Sequence, residues 1–108
     1  MWKVYFFQTS RKRYPVKEFI ENQSFPVQAR INKSIRLLIN HGPFLKPPYI
    51  KKLDHNLYEL RIKTQITIRI FYSPKNNCYY LLHAFKKKSQ KTPSRELKVA
   101  LDRIKQLI

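Results

Sequence analysis

A single glycine, Gly42, in a chain of 108 residues narrows the folds that this sequence can adopt. Folds that bind nucleotides through a P-loop or a dinucleotide loop need several glycines where the backbone approaches phosphate, so we expect no nucleotide cofactor. Gly42 directly follows an apolar stripe at helical spacing, and a helix end favours the positive φ that glycine tolerates. The stripe consists of Val27, Ile31, Ile35, Leu38 and Ile39 and predicts a helix that ends near Gly42.

Hydrophobic periodicity divides the chain into helical and extended segments. Aromatic and β-branched residues over 2–8 predict a first strand, and Val16, Phe19 and Ile20 predict a helix after it. Prolines after Gly42 indicate an irregular connection to the next strand. Alternating apolar residues predict strands over 57–62 and 66–73. A polar turn then leads into a further strand over 79–85, in which both alternating residue sets are largely apolar. The apolar stripe of a C-terminal helix consists of Leu97, Ala100, Leu101, Ile104 and Ile108.

These elements predict an α+β fold in which residues 1–108 form a single domain. Two helices near the N-terminus are followed along the chain by several consecutive strands. This order favours a fold in which the two N-terminal helices pack on one face of an antiparallel sheet. The other face is then partly free. Strand alternation assigns six residues to this free face, namely Leu57, Glu59, Arg61, Thr67, Arg69 and Phe71. A solvated cross-strand ion pair between Glu59 and an arginine explains the same pattern without any function.

The charge balance indicates a polyanionic partner. The chain holds 23 Lys and Arg against 6 Asp and Glu, a formal net charge of +17 that a nucleic acid or an acidic protein would neutralise. We expect no membrane association, because no basic amphipathic helix with a large apolar face is recognisable. A single cysteine, Cys78, and the lack of a visible signal or spanning segment favour a cytoplasmic protein. Three scattered histidines beside one cysteine offer no metal-ligand spacing.

Lysines cluster where the last predicted strand leads into the last helix. They are Lys86, Lys87, Lys88 and Lys91, and Lys51 and Lys52 form a second basic pair. A run of charged residues usually has no function beyond contact with solvent. This run, however, lies at the end of the predicted strand, next to the sheet surface that holds Arg69. We interpret Phe71 or a tyrosine as a residue that stacks on an unpaired base. His83 is a secondary candidate for proton transfer, although a histidine in a sheet is more often only hydrogen-bonded.

Three segments of the sequence resemble the RelE/ParE toxin superfamily in its HigB-like, phage Gp49-like branch. They are Leu57-Tyr58-Glu59-Leu60-Arg61-Ile62, Arg69-Ile70-Phe71-Tyr72 and the segment from His83 to Pro93. Glu96, Ala100 and Arg103 continue the pattern. Ala84 stands where the branch has a glycine, and Ser89 stands where it has a threonine.

The resemblance implies a RelE-like fold and a type II toxin, an endoribonuclease (mRNA interferase) that cleaves mRNA in the ribosomal A site. It implies catalysis without a metal or other cofactor, and inhibition by a helix-turn-helix antitoxin of the HigA type. By position, Arg69 stabilises the scissile phosphate, Lys87 and Lys88 match the branch's lysine pair, and Glu59 is either a general base or the residue that orients Arg61. The remaining lysines of the RNA-binding surface are Lys51, Lys52, Lys86 and Lys91.

Two other functions fit the same residues. ParE-like members of the superfamily inhibit DNA gyrase and cleave nothing, and likeness of fold does not separate the two activities. A basic RNA-binding module without catalysis would use the charge for affinity alone. The grouping of Arg69 with Lys87 and Lys88 around one strand end favours cleavage.

Overall fold

The computed structural model describes residues 1–88 and 90–107. Ser89 in the lysine-rich segment and Ile108 on the last apolar stripe lie outside the described residues. In chain order the elements are β1 (Lys3–Phe6), α1 (Pro15–Glu21), α2 (Phe25–His41), a 3₁₀ helix (Gly42–Phe44), β2 (Ile50–Asp54), β3 (Leu57–Lys63), β4 (Thr67–Lys75), β5 (Cys78–Lys87) and α3 (Ser94–Gln106).

The five strands form one sheet in the order β1-β5-β4-β3-β2. β2, β3, β4 and β5 follow one another as an antiparallel meander. β1 lies beside β5 and runs parallel to it, which requires a long connection between the two strands. The α+β class, the meander and the three predicted helices are confirmed, whereas the parallel pairing of β1 has no signal in the sequence.

The expectation of an irregular connection up to β3 is wrong for its last part. Ile50–Asp54 forms the edge strand β2, with a register shift between Lys52 and Asp54. Two consecutive lysines in a strand of 5 residues hide the period-two signal. Lysines on an edge strand discourage pairing with other chains, so this composition suits the position.

The helices α1 and α2 cover one face of the sheet and form the larger part of the core. Val16 and Ile20 of α1 and Ile31 and Leu38 of α2 are buried against it. The residues of β3 and β4 that face them are Tyr58, Leu60, Ile62, Ile68, Ile70 and Tyr72. Strand alternation predicted this orientation for all six, and the structure confirms it.

The opposite face is covered at one end by α3. Ala100 of α3 is completely buried among apolar residues of β3, β4 and β5, which are Leu57, Phe71, Leu82 and Phe85, together with Phe7. The prediction of a partly free second face is confirmed. Phe71 lies on this face but is 0% exposed, so the interpretation of Phe71 as a base-stacking residue is wrong. Phe71 is buried because it is part of the apolar surface on which α3 packs.

A β-bulge in β5 explains why both alternating residue sets of that strand are apolar. Phe71 pairs with His83 and Tyr72 pairs with Leu81, so Leu82 is the extra residue. The bulge reverses the alternation, because Leu81 faces the α1–α2 side while Leu82 and Phe85 face α3. It thereby sets which lysines at the end of β5 share a face with Arg69.

Replacing Gly42 by alanine tests the packing at the end of α2. Gly42 has φ +50°, and a Cβ there would lie 2.7 Å from Cε2 of Trp2. We expect Gly42→Ala to lower the free energy of unfolding by about 2–4 kcal/mol, because backbone strain and displacement of the indole add. Urea unfolding measures this, with Asn40→Ala on the exposed side of α2 as the control. A Gly42→Ala variant as stable as the wild type would contradict the account.

Candidate active site

The sheet register gathers charged residues of β3, β4 and β5 on the face opposite α1 and α2. Arg61 lies directly opposite Arg69, and Glu59 is on the same side of β3, two residues before Arg61. Lys87 pairs with Thr67, which precedes Arg69 by two residues on β4. We call Glu59, Arg61, Arg69 and Lys87 the Glu59 cluster. The meeting of its first three members is what strand alternation predicted.

Glu59 is a buried carboxylate that holds both arginines. Its side chain is 1% exposed, and Oε1 accepts a hydrogen bond from Nε of Arg61 at 3.1 Å. Nε of Arg69 lies 3.2 Å from the same oxygen as an ion pair, but its N–H is not aligned for a hydrogen bond. Oε2 has no partner among the described residues. The carboxylate therefore keeps two like charges side by side in a place where they would otherwise repel.

Burial and mutual repulsion perturb the cations of the cluster. Burial lowers the pKa of Arg69, Glu59 opposes this effect, and Arg61 adds to it. Burial also lowers the pKa of the Lys87 ammonium, against the attraction of Glu59 and with added repulsion from Arg69, Arg61 and Lys51. The neutral form of Lys87 is therefore easier to reach than that of a fully solvated lysine.

The cluster opens into a shallow cavity of about 480 Å³. Its lining consists of Arg61, Thr67, Arg69, Lys87, Lys88 and Gln90. Four of these six side chains are cationic and none is acidic, so the cavity attracts anions. Sequence reasoning named neither Thr67 nor Gln90 as a site residue. The alternation that placed Arg69 on this face also places Thr67 there, two residues earlier on the same strand.

The two lysines of β2 point to opposite faces of the sheet. Lys51 pairs with Glu59 and shares its face, and its charge acts on Lys87. Lys52 pairs with Tyr58 on the α1–α2 side, where its Nζ lies 6.0 Å from the centre of the Tyr58 ring. The prediction that both extend the basic face is therefore correct in position for Lys51 and wrong for Lys52, because consecutive strand residues alternate.

The lysines at the end of β5 and after it also lie on different faces of the sheet. Lys86 pairs with Ile68, whose side chain is buried on the α1–α2 side, so Lys86 lies on the face away from the cavity. The structure therefore does not bring Lys86 to the face that holds Arg69, where the sequence interpretation placed it. Lys88 lines the cavity, and Lys91 is exposed in the segment between Lys88 and α3.

His83 lies under α3 and does not line the cavity. Its Nε2 is 2.8 Å from Oε1 of Glu96, and its ring stacks on Phe85 with centroids 5.7 Å apart. Arg103 donates a hydrogen bond from Nη1 to the carbonyl oxygen of the bulge residue Leu82 at 2.7 Å. Glu96 and Arg103 thus attach α3 to β5, and this arrangement matches a hydrogen-bonded sheet histidine. His83 contacts Arg103, whose Nη1 lies 3.5 Å from its Nδ1, and it is not among the residues that line the cavity of the Glu59 cluster.

The described residues contain neither a metal-ligand cluster nor a membrane-spanning helix. Within residues 1–88 and 90–107, no group of three or more His, Cys, Asp or Glu side chains could hold a metal ion. Over the same ranges, the helices are too short or too polar to cross a lipid bilayer.

Comparison with known families identifies a match over most of the chain. The model of the family described as "Phage derived protein Gp49-like (DUF891)" matches residues 18–105, which include the whole Glu59 cluster and both residues that attach α3. No curated protein matches the chain.

Replacing Glu59 by glutamine tests whether the carboxylate holds the cluster together. Because the change leaves Arg69 and Arg61 adjacent without a counter-charge, we expect Glu59→Gln to lower the free energy of unfolding by about 2–4 kcal/mol. It should also lower the pKa of Lys87 further, since the Glu59 charge raises that pKa. Urea unfolding and an NMR titration of the Lys87 ammonium measure the two effects. Glu18→Gln, which removes an exposed pair with Arg13, is the control and should leave the unfolding midpoint unchanged. Equal effects from both variants would refute the role of Glu59.

Proposed function

Because this chain belongs to the Gp49-like family of phage-derived proteins, a family of RelE/HigB-like toxins, we propose that it cleaves mRNA in the ribosomal A site as the toxin of a type II toxin–antitoxin system. Membership of the family supports the toxin class. The observation that carries the cleavage activity is the cavity in which Arg61, Arg69, Lys87 and Lys88 converge beside the buried Glu59.

The reaction is a transesterification within the RNA strand. The 2′-hydroxyl loses its proton and its oxygen forms a bond to the adjacent phosphorus, and the bond from phosphorus to the 5′-oxygen then breaks. The leaving 5′-oxygen takes up a proton, so the products are a 2′,3′-cyclic phosphate and a 5′-hydroxyl. The transition state carries extra negative charge on the phosphoryl oxygens, which fixed cations stabilise. Cations held in place before the substrate arrives need little reorganisation during the reaction.

Arg69 is the residue that we assign to this charge. Its side chain is 12% exposed and is placed by the ion pair with Glu59 at the wall of the cavity. A planar guanidinium donates two parallel hydrogen bonds to phosphoryl oxygens. Arg61 is held by the same carboxylate, with 30% of its side chain exposed, and contributes a second positive charge.

Glu59 acts through the arginines in this mechanism. A carboxylate that is 1% exposed has little access to a 2′-hydroxyl, and its Oε1 is already engaged by Arg61. Of the two roles that the family pattern allows for Glu59, the geometry therefore favours the orientation of Arg61 and Arg69 over general base catalysis. Glu59 is a positioning residue.

Lys87 is our candidate for the proton transfer from the 2′-hydroxyl. A lysine accepts a proton only in its neutral form, and burial together with three neighbouring cations lowers the pKa of Lys87. Lys88 is exposed at the cavity and binds the RNA backbone beside it. Lys51 adds positive charge on the same face.

The partners follow from the charge and from the class of protein. A net charge of +17 suits contacts with ribosomal RNA as well as with the message. A toxin of this kind has to be held inactive in the cell that makes it, so we expect a cognate helix-turn-helix antitoxin of the HigA type.

Removing Arg69 tests the proposed cleavage. We expect Arg69→Ala to slow mRNA cleavage on translating ribosomes by about 10²–10³-fold, because a transition-state contact is lost. Mapping of mRNA 3′ ends after a timed reaction measures this, with Arg36→Ala on the exposed side of α2 and Lys3→Ala as controls that should cleave like the wild type. Intact message with the wild-type protein, or inhibition of gyrase supercoiling in its place, would overturn the proposed function.

Exchanging Lys87 for arginine separates proton transfer from simple attraction. Arginine keeps the positive charge but stays protonated, so Lys87→Arg should bind RNA normally and cleave about 10²–10⁴-fold more slowly. The wild-type rate should rise with pH up to the lowered pKa of Lys87, because only the neutral amine accepts the proton, and this rise should be absent in Lys87→Arg. Lys86→Arg, on the opposite face, is the matched control. Full activity of Lys87→Arg would show that Lys87 supplies charge only.

A further inference from the structure

A groove runs along α2 to the edge of the sheet at β3. It consists of two cavities of about 670 and 220 Å³ that share Arg30 and Lys63 as a common wall. Nη1 of Arg30 donates a hydrogen bond to the carbonyl oxygen of Lys63 at 3.3 Å and ties the helix to the end of the strand. The groove extends along α2 from Val27 to Leu37, a length of roughly 15 Å at the rise of an α-helix.

The groove exists because β2 is shorter than β3. β2 begins at Ile50, opposite Leu60, so the last three residues of β3, Arg61–Lys63, extend past the end of β2. The N–H of Arg61 donates to the carbonyl oxygen of Tyr49 at 2.9 Å, where the chain enters β2. Beyond this contact β3 has no neighbour on the β2 side among the described residues and becomes the edge of the sheet. The groove there is lined by residues of α2, of the end of β3 and of the turn after it.

The surface of the groove combines exposed apolar side chains with cations. Ile66 and Tyr49, one at each end, are 47% and 51% exposed, and Phe25, next to the lining residue Pro26, is 86% exposed. The charged lining residues are Arg30, Lys33, Arg61 and Lys63. All six acidic residues of the sequence lie in the described part of the chain, and none of them lines either cavity.

We propose that this groove binds an acidic amphipathic segment of a partner protein, and that the bound segment reaches Arg61 and controls the active site. The proposal rests on the proposed function, because a toxin needs a protein that restrains it. Exposed aliphatic and aromatic side chains form an apolar surface with which the phosphates of RNA make no favourable contact. A protein segment with one apolar and one acidic face can pack on these side chains and pair with the cations of the groove as well. This favours a protein segment over RNA as the occupant.

Arg61 connects the groove to the active site. It lines both the smaller cavity of the groove and the cavity of the Glu59 cluster. A carboxylate of the partner at this end competes with Glu59 for the guanidinium, which Glu59 holds through Nε at 3.1 Å. Occupation of the groove therefore removes one cation from the Glu59 cluster without covering the cavity itself.

A labelled model peptide tests the binding. It has about 14 residues, so that its four helical turns exceed the groove length, with leucines on one helical face and glutamates on the other. Fluorescence anisotropy should show binding that weakens about tenfold in Lys33→Glu and in Ile66→Ser. Lys17→Glu on α1 and Leu101→Ser on α3 are the matched controls and should bind within about twofold of the wild type. A peptide with glutamine in place of glutamate should bind more weakly.

Three results would overturn the proposal. The first is no binding of the acidic peptide, and the second is binding that the groove variants do not affect. The third is an oligouridine that binds the same groove and loses affinity in the same two variants, which would make the groove an RNA surface. None of these results depends on cleavage, so a failed binding test is distinct from a failed proposed function.

The rate of mRNA cleavage, measured with and without the peptide, tests whether occupation of the groove regulates the active site. Lys33→Glu and Ile66→Ser should cleave mRNA like the wild type when no peptide is present, since neither residue lines the active-site cavity. Saturating acidic peptide should slow cleavage by the wild-type protein at least about tenfold, in line with the loss of one cationic contact. Peptide that binds the groove and leaves the rate unchanged would refute the connection through Arg61.

Discussion

The burial of the Glu59 carboxylate between two arginines is the interaction on which the open face of the sheet depends. Arg61 and Arg69 lie directly opposite each other on neighbouring strands, an arrangement that repulsion would oppose without a counter-charge. Glu59, with 1% of its side chain exposed, supplies that charge from within the sheet surface. Because its charge is enclosed, solvent screens it little, and it holds the cations in place before any ligand arrives.

The two faces of the sheet differ in what they hold: one carries most of the hydrophobic core, and the other carries the Glu59 cluster. α1 and α2 cover one face and bury most of the apolar side chains. α3 covers only one end of the other face and is attached to β5 by Glu96 on His83 and by Arg103 on the carbonyl of Leu82. The uncovered end holds the Glu59 cluster. A helix that covered the whole face would bury the cations and close the cavity.

Sequence reasoning predicted the parts of this architecture that depend on local periodicity. Alternation in β3 and β4 placed Glu59, Arg61 and Arg69 on one face, and the apolar stripes placed all three helices. It could not predict β2, because Lys51 and Lys52 interrupt the alternation of apolar and polar residues in this short edge strand. The parallel position of β1 beside β5 depends on packing across the whole chain.

The lysines show a second limit of the same reasoning. A run of charge carries no face information until the register of its strand is known, so Lys52 and Lys86 were placed with Lys51 and Lys87. The bulge at Leu82 shifts that register by one residue, and no residue type marks it, since the strand contains neither glycine nor proline. Phe71 lies on the predicted face, but its predicted exposure was wrong because α3 returns to cover one end of the face that holds Arg69.

The most direct test of the proposed phosphate site is an NMR titration with a short RNA whose 2′-hydroxyls are methylated, so that it binds without being cleaved. The account predicts that the guanidinium Nε signals of Arg61 and Arg69 and the ammonium signal of Lys87 shift together as the RNA is added. The signals of Lys52 and Lys86 on the other face should stay in place. Shifts centred on Lys52 and Lys86, with the Glu59 cluster unchanged, would contradict the account.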